Sequence, residues 1–151
     1  MSELFKKLRL TTQKELLILN SPDNFKKETE SLSASGITVD FEKSSEKYSF
    51  IMLFVLSLNE VTGKAEEISG TVEDDGVLWV CYPKKSSKKY KTELSRDNVL
   101  QPFGTYGFEG VTQVSIDVDW SALRIRQADK IKTMTRSWAL SEKGKERIGK
   151  N

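Results

Sequence analysis

The chain contains no histidine and only one cysteine, Cys81, among its 151 residues. Without histidine there is no Ser-His-Asp or Cys-His relay, no imidazole general base and no histidine metal ligand. A lone cysteine excludes an internal disulfide, a CxxC redox pair and a cysteine-built structural zinc site. Long hydrophobic runs are also missing. The longest, Phe50 to Leu56 (FIMLFVL), is far below the ~20 residues of a membrane helix. The first ten residues, MSELFKKLRL, interleave charge with apolar side chains, as an amphipathic helical turn does and a signal sequence does not. These absences predict a cytoplasmic protein in a reducing compartment, with Cys81 as a small buried hydrophobe.

What is present, 37% hydrophobic and 30% charged residues, predicts one folded domain of ordinary size. Residues 14–20 (KELLILN) read as a buried strand closed by turn residues. Ser21 then stands as a cap and Pro22 as a first helical position for a helix over 22–32. Gly36 ends that pattern before Ile37 to Glu42 (ITVDFE), an alternating and more peripheral strand. The run 50–56 does not alternate, which predicts burial on both faces in the centre of a parallel sheet. A helix over 59–69, flawed by Gly63, leads to the Asp74-Asp75-Gly76 turn and to a fourth strand, VLWVCY, closed by Pro83. Trp79, within that strand, is expected in the core. This alternation predicts right-handed crossovers.

Lys84 to Lys91 (KKSSKKYK) holds five lysines in eight residues. Ser95 is placed to cap a short helix over 96–103. Val111 to Val118 and Ser121 to Gln127 alternate on either side of Asp119-Trp120, which predicts an antiparallel hairpin and hence a mixed sheet. The expected organisation is a domain over 1–127, with 1–13 as a helical lead-in, followed by a basic tail or helix over 128–151. The net charge of +2 conceals an uneven distribution. Setting aside the tail's seven basic and three acidic residues leaves 17 basic against 19 acidic, and setting aside the loop lysines leaves 12 against 19. An acidic body therefore carries two basic appendages.

The strand–helix alternation, the glycine-led strand in GVLWVCYPK and the closing hairpin resemble the Rossmann-like fold of S-adenosylmethionine-dependent methyltransferases, over roughly Lys14 to Gln127. The segments FIMLFVLS, LWVCYPKKSSKKY and DVDWSALRIR also resemble a small bacterial family of unassigned function. The resemblance implies a three-layer α/β fold with a mostly parallel sheet, S-adenosylmethionine as cofactor, and an acid after the second strand, for which Asp40 and Glu42 are the counterparts. In that family a glycine-rich turn follows the first strand. Here it is Asn20-Ser21-Pro22-Asp23, without glycine, and close backbone approach to a cofactor is not expected.

Open α/β sheets bind ligands beyond the carboxyl ends of their strands. The pattern brings Asn20, Ser21, Asp40, Ser57, Lys84, Lys85, Ser86 and Lys88 to that edge. Their hydroxyls and ammonium groups favour a small anion, although caps and lysine loops are also ordinary surface features. The lysines around Tyr90 admit weak, sequence-blind nucleic-acid binding. Asp117, Asp119 and Arg124 read as a turn-steadying group. The tail, with Trp138 and Leu140, offers a homodimer contact. The reading from sequence is thus a domain that binds a small anionic or nucleotide-like ligand and transforms nothing, with no cofactor, metal or membrane partner. Its alternatives are a divergent methyltransferase and a module docking nucleic acid or an acidic protein through its basic loop and tail.

Overall fold

A computed structural model describes residues 2–131. The expectations for the basic tail, including the homodimer contact at Trp138 and Leu140, lie almost wholly outside the described residues. The elements run in the order α1 (Glu3–Lys7), β1 (Glu15–Leu19), α2 (Lys26–Ala34), β2 (Thr38–Asp40), β3 (Tyr48–Phe54), α3 (Leu58–Thr71), β4 (Val72–Pro83), α4 (Arg96–Gly104), β5 (Phe108–Ser115) and β6 (Trp120–Gln127). Two short 3-10 turns, Asp23–Phe25 and Ala128–Lys130, precede α2 and follow β6. Among the described residues no helix is long and apolar enough to cross a membrane.

The six strands form one sheet in the order β2-β1-β3-β4-β6-β5. β2, β1, β3 and β4 are mutually parallel. β6 runs antiparallel to both β4 and β5, so β5 points the same way as the first four. The predicted hairpin therefore forms, but its second strand is inserted between β4 and its first strand.

Alternation along the strands sends side chains to two cores. Leu16, Ile18, Phe50, Met52 and Phe54 meet α1 and its C-cap through Phe5 and Leu8, and the 3-10 turn and α2 through Phe25 and Leu32. Leu17, Ile51, Leu53 and Val55 meet α3 and α4 through Val61, Ala65, Ile68, Val99 and Phe103. Helices thus cover both faces, which is why β3 reads as one unbroken apolar run: all its residues but Ser49 are buried. Trp79 is wholly buried, and its indole Nε1 donates to the Leu8 carbonyl at 2.8 Å, tying α1 to the centre of the sheet. Cys81 is buried too, and burial pushes its thiol pKa well up, so it is an inert core residue.

Three local expectations are corrected. The helix after β1 does not begin at Pro22: Pro22 occupies the N-cap position of the 3-10 turn, with no side-chain cap from Ser21, and α2 follows only at Lys26. β4 starts at Val72 instead of Val77, because residues 73–76 bulge out between the pairs Tyr48–Val72 and Phe50–Val77. Arg124 does not steady the hairpin turn. The Asp117 Oδ1 accepts from the amides of Asp119 and Trp120, at 2.8 and 2.9 Å, and closes the turn together with the backbone bond from the Ile116 amide to the Trp120 carbonyl, at 2.9 Å. It is Arg126 that makes the bidentate carboxylate pair, at 2.7 and 2.9 Å, with Asp75 in the β4 bulge.

Candidate functional site

Among the described residues, the cavities at the carboxyl edge of the sheet include two that take in residues singled out from the sequence. The first, about 240 Å³, lies between the turn leaving β1 and the end of β2, lined by Ser21, Pro22, Asp23, Lys26, Thr29 and Phe41. The turn is made by Asn20, whose φ of 60° lies in the left-handed region. Asparagine is among the few side-chained residues that enter this region at small cost, so it performs here the reversal that glycine performs elsewhere. The chain thus reverses after β1 without glycine, through Asn20. Phe41, directly after β2, is 53% exposed, a large ring left open beside a cavity.

Asp40, at the end of β2, turns away from this cavity. Its Oδ2 accepts from the Tyr48 hydroxyl at 2.6 Å and from the Ser44 hydroxyl at 2.8 Å. The Tyr48 hydroxyl in turn accepts from the amides of Ser44 and Ser45, at 3.0 and 3.2 Å. This knot holds the connection from β2 to β3. The Tyr48 hydrogen bond, before that of Ser44, holds the Asp40 carboxyl below the ordinary carboxylate value. A depressed folded-state pKa gives stability that is present above the unfolded pKa, near 3.9, and is lost as pH falls through the folded value. Tyr48→Phe is accordingly expected to lower stability by about 1–3 kcal/mol at neutral pH. Urea titrations from pH 7 to pH 2.5 are expected to show the gap to the parent chain narrowing in acid.

Ser57 lies at the carboxyl end of β3 but serves as the N-cap of α3. Its Oγ accepts from the Glu60 amide at 3.2 Å, while the Glu60 carboxylate accepts from the Leu56 amide at 2.9 Å. It lines neither cavity.

The second cavity, about 390 Å³, lies at the carboxyl end of β4 and brings together Lys84, Lys85 and Ser86 with Ser95, Arg96, Tyr82, Gln113, Ser121 and Leu94. Strand register explains the gathering. Tyr82 pairs with Ser121, and Gln113 pairs with Leu123 two residues along β6, so all three polar side chains fall on the α4 side of the sheet. Ser95 and Asn98 form a capping box that fixes the start of α4, and with it Arg96. Gly110 makes room for this arginine: a Cβ there would lie 3.3 Å from the Arg96 Nη2 and 3.2 Å from Leu100.

The lysine loop does not hang free. Ser87 donates to Asp119 at 2.7 Å, the Lys84 amide donates to the Asp119 carbonyl at 2.8 Å, and the Tyr90 ring packs edge-on to Trp120 with centroids 5.2 Å apart. Tyr90, the aromatic suited to stacking on a base, therefore has one edge committed to the protein. Lys88 is exposed and lines neither cavity.

Of the eight residues brought to the edge by sequence reasoning, Lys84, Lys85 and Ser86 share one cavity, and Ser21, beside Asn20, borders the other. Arg96, Gln113, Tyr82 and Phe41 were missed. Arg96 was signalled by the Ser95 cap next to it, and Gln113 by the alternation of its strand. The insertion of β6 beside β4 is what brings Gln113 and Ser121 there, and no local pattern announces it. Among the described residues no cluster of three or more metal-ligating side chains occurs.

No protein-family model matches the sequence, and no curated protein matches it. Solved structures do. The N-methyltransferase NodS from Bradyrhizobium japonicum WM9 superposes with a TM-score of 0.54 at 11% identity, covering 83% of this chain and 92% of that one. A protein assigned as a sarcosine dimethylglycine methyltransferase from Galdieria sulphuraria gives 0.54 at 15% identity, covering 85% and 84%. The [4+2]-cyclase SpnF gives 0.52 at 10% identity, covering 82% and 78%. The chain thus has the Rossmann-like α/β fold of S-adenosylmethionine-dependent methyltransferases. A cyclase on the same scaffold shows that the fold alone does not fix the reaction.

Proposed function

We propose that the chain is a divergent S-adenosylmethionine-dependent methyltransferase whose cofactor occupies the cavity between β1 and β2. The observation that carries this reading is the left-handed Asn20, which folds the chain back directly after β1, beside the point where the strand order reverses. The lining also suits the molecule. Asp23 and Lys26 match an ammonium and a carboxylate, and the open ring of Phe41 offers a face for a purine. Support from relatives is one of fold: NodS has also been crystallised with S-adenosyl-L-homocysteine, and that structure superposes with a TM-score of 0.53 at 11% identity.

One element of the family pattern is reassigned. The carboxylate of Asp40 is engaged by Tyr48 and Ser44, which leaves the exposed Glu42 as the acid beyond β2 able to meet ribose hydroxyls. When bound, S-adenosylmethionine supplies an electrophilic methyl group. The chain's own part is to seat the ligand, and with no histidine to remove a proton it suits an acceptor that is already nucleophilic at neutral pH.

The reading is tested by calorimetric titration of the full chain with S-adenosyl-L-homocysteine. Saturable one-to-one binding is the expected result. No heat at protein concentrations of order 100 μM removes the cofactor and returns the chain to a domain that binds without transforming.

A further inference from the structure

We propose that the cavity at the carboxyl end of β4 is an anion-binding site, formed by Lys84, Lys85 and Arg96, for a small molecule carrying a phosphate or carboxylate group. As the seat of a methyl acceptor it rests on the function proposed above; as a binding site it stands without it.

Three observations support it. The first is the composition of the lining, which includes three cationic side chains and no carboxylate in a body where acids outnumber bases. Neither lysine forms an ion pair with a described residue, and Arg96 has only a loose contact with its exposed neighbour Asp97, at 3.9 Å.

The second is that the cations are positioned but not saturated. The Lys84 ammonium donates to the Ser115 hydroxyl at 2.6 Å and that of Lys85 to the Thr92 carbonyl at 3.2 Å. An ammonium has three donors, so each lysine is held by one bond with two left over. The Arg96 guanidinium lies against Gly110, and no hydrogen bond to it occurs among the described residues. Its planar fork suits two oxygens of one anion.

The third is the neutral polar wall. Tyr82 donates to Gln113 Oε1 at 3.0 Å, leaving the Gln113 amide nitrogen with its donors. Burial of the Tyr82 ring raises the phenol pKa, so it stays a neutral donor and adds no negative charge. Ser86, Ser95 and Ser121 add hydroxyls around the same space. An oxyanion seated here as an acceptor needs no base to take a proton from it, which agrees with a chain lacking histidine.

The test is a titration of the ¹⁵N-labelled full chain with inorganic pyrophosphate and, separately, with citrate, followed by amide shifts. The expected result is saturable shifts centred on Lys84 to Ser86 and on Ser95 and Arg96, with affinity falling as salt rises. Lys84→Gln with Lys85→Gln, both near the surface and compatible with folding, is expected to weaken binding at least tenfold, and Arg96→Gln similarly. Response to one probe only identifies the group recognised. Absence of saturable binding by both probes, shifts centred elsewhere, or equal affinity in folded variants overturns the site. S-adenosyl-L-homocysteine binding is read separately: pyrophosphate binding without it removes the cofactor and keeps the anion site, and the converse removes the anion site alone.

Discussion

Trp79→Ala is expected to lower the stability of the domain by about 3–5 kcal/mol, a large share of the roughly 5–15 kcal/mol that holds an ordinary domain folded. Trp79 is wholly buried at the middle of β4, among Phe50, Met52 and Phe54 on the α1 side of the sheet. Removing the indole leaves a large void between the sheet and α1, in a close-packed layer where collapse into it is limited. It also strands the Leu8 carbonyl, which the indole satisfies at 2.8 Å. Trp79→Phe separates the two effects. The ring is largely kept and the hydrogen bond is lost, so the expected cost falls to about 1–3 kcal/mol. Urea denaturation of the three proteins, followed by far-ultraviolet circular dichroism, measures both.

Asn20→Val is expected to cost about 1–3 kcal/mol in stability, because a β-branched side chain is forced to φ near 60° at the turn leaving β1. The same change moves the wall of the first cavity, and S-adenosyl-L-homocysteine affinity is expected to fall more than tenfold. Asn20→Gly keeps the left-handed turn and is expected to retain that binding within a few fold. A purely structural role for Asn20 predicts instead that the Val variant, once folded, binds as the parent does.

Residues whose role is set by near neighbours in sequence were the legible ones. The unbroken apolar character of β3 announces a strand covered on both faces, the alternation of β5 and β6 announces a hairpin, and Ser95 announces the start of α4. Positions that depend on distant partners were not legible. Asp40 looks like a site acid from its place at a strand end, and only the fold shows the Tyr48 hydroxyl 2.6 Å away. Ser57 looks like a ligand group and is a helix cap. Asn20 carries a left-handed turn that the presence of Pro22 and the lack of glycine obscured. Arg96 stands eleven residues beyond Lys85 in sequence, and α4 has to fold back over β4 and β5 before the two face one cavity.

The most direct measurement is a crystal structure of the full chain grown with S-adenosyl-L-homocysteine. Ligand density between the Asn20 turn and Phe41, with the ammonium and carboxylate facing Asp23 and Lys26, is the expected result. Density for the ligand at any other place on the chain, or none when calorimetry shows no binding, would contradict it.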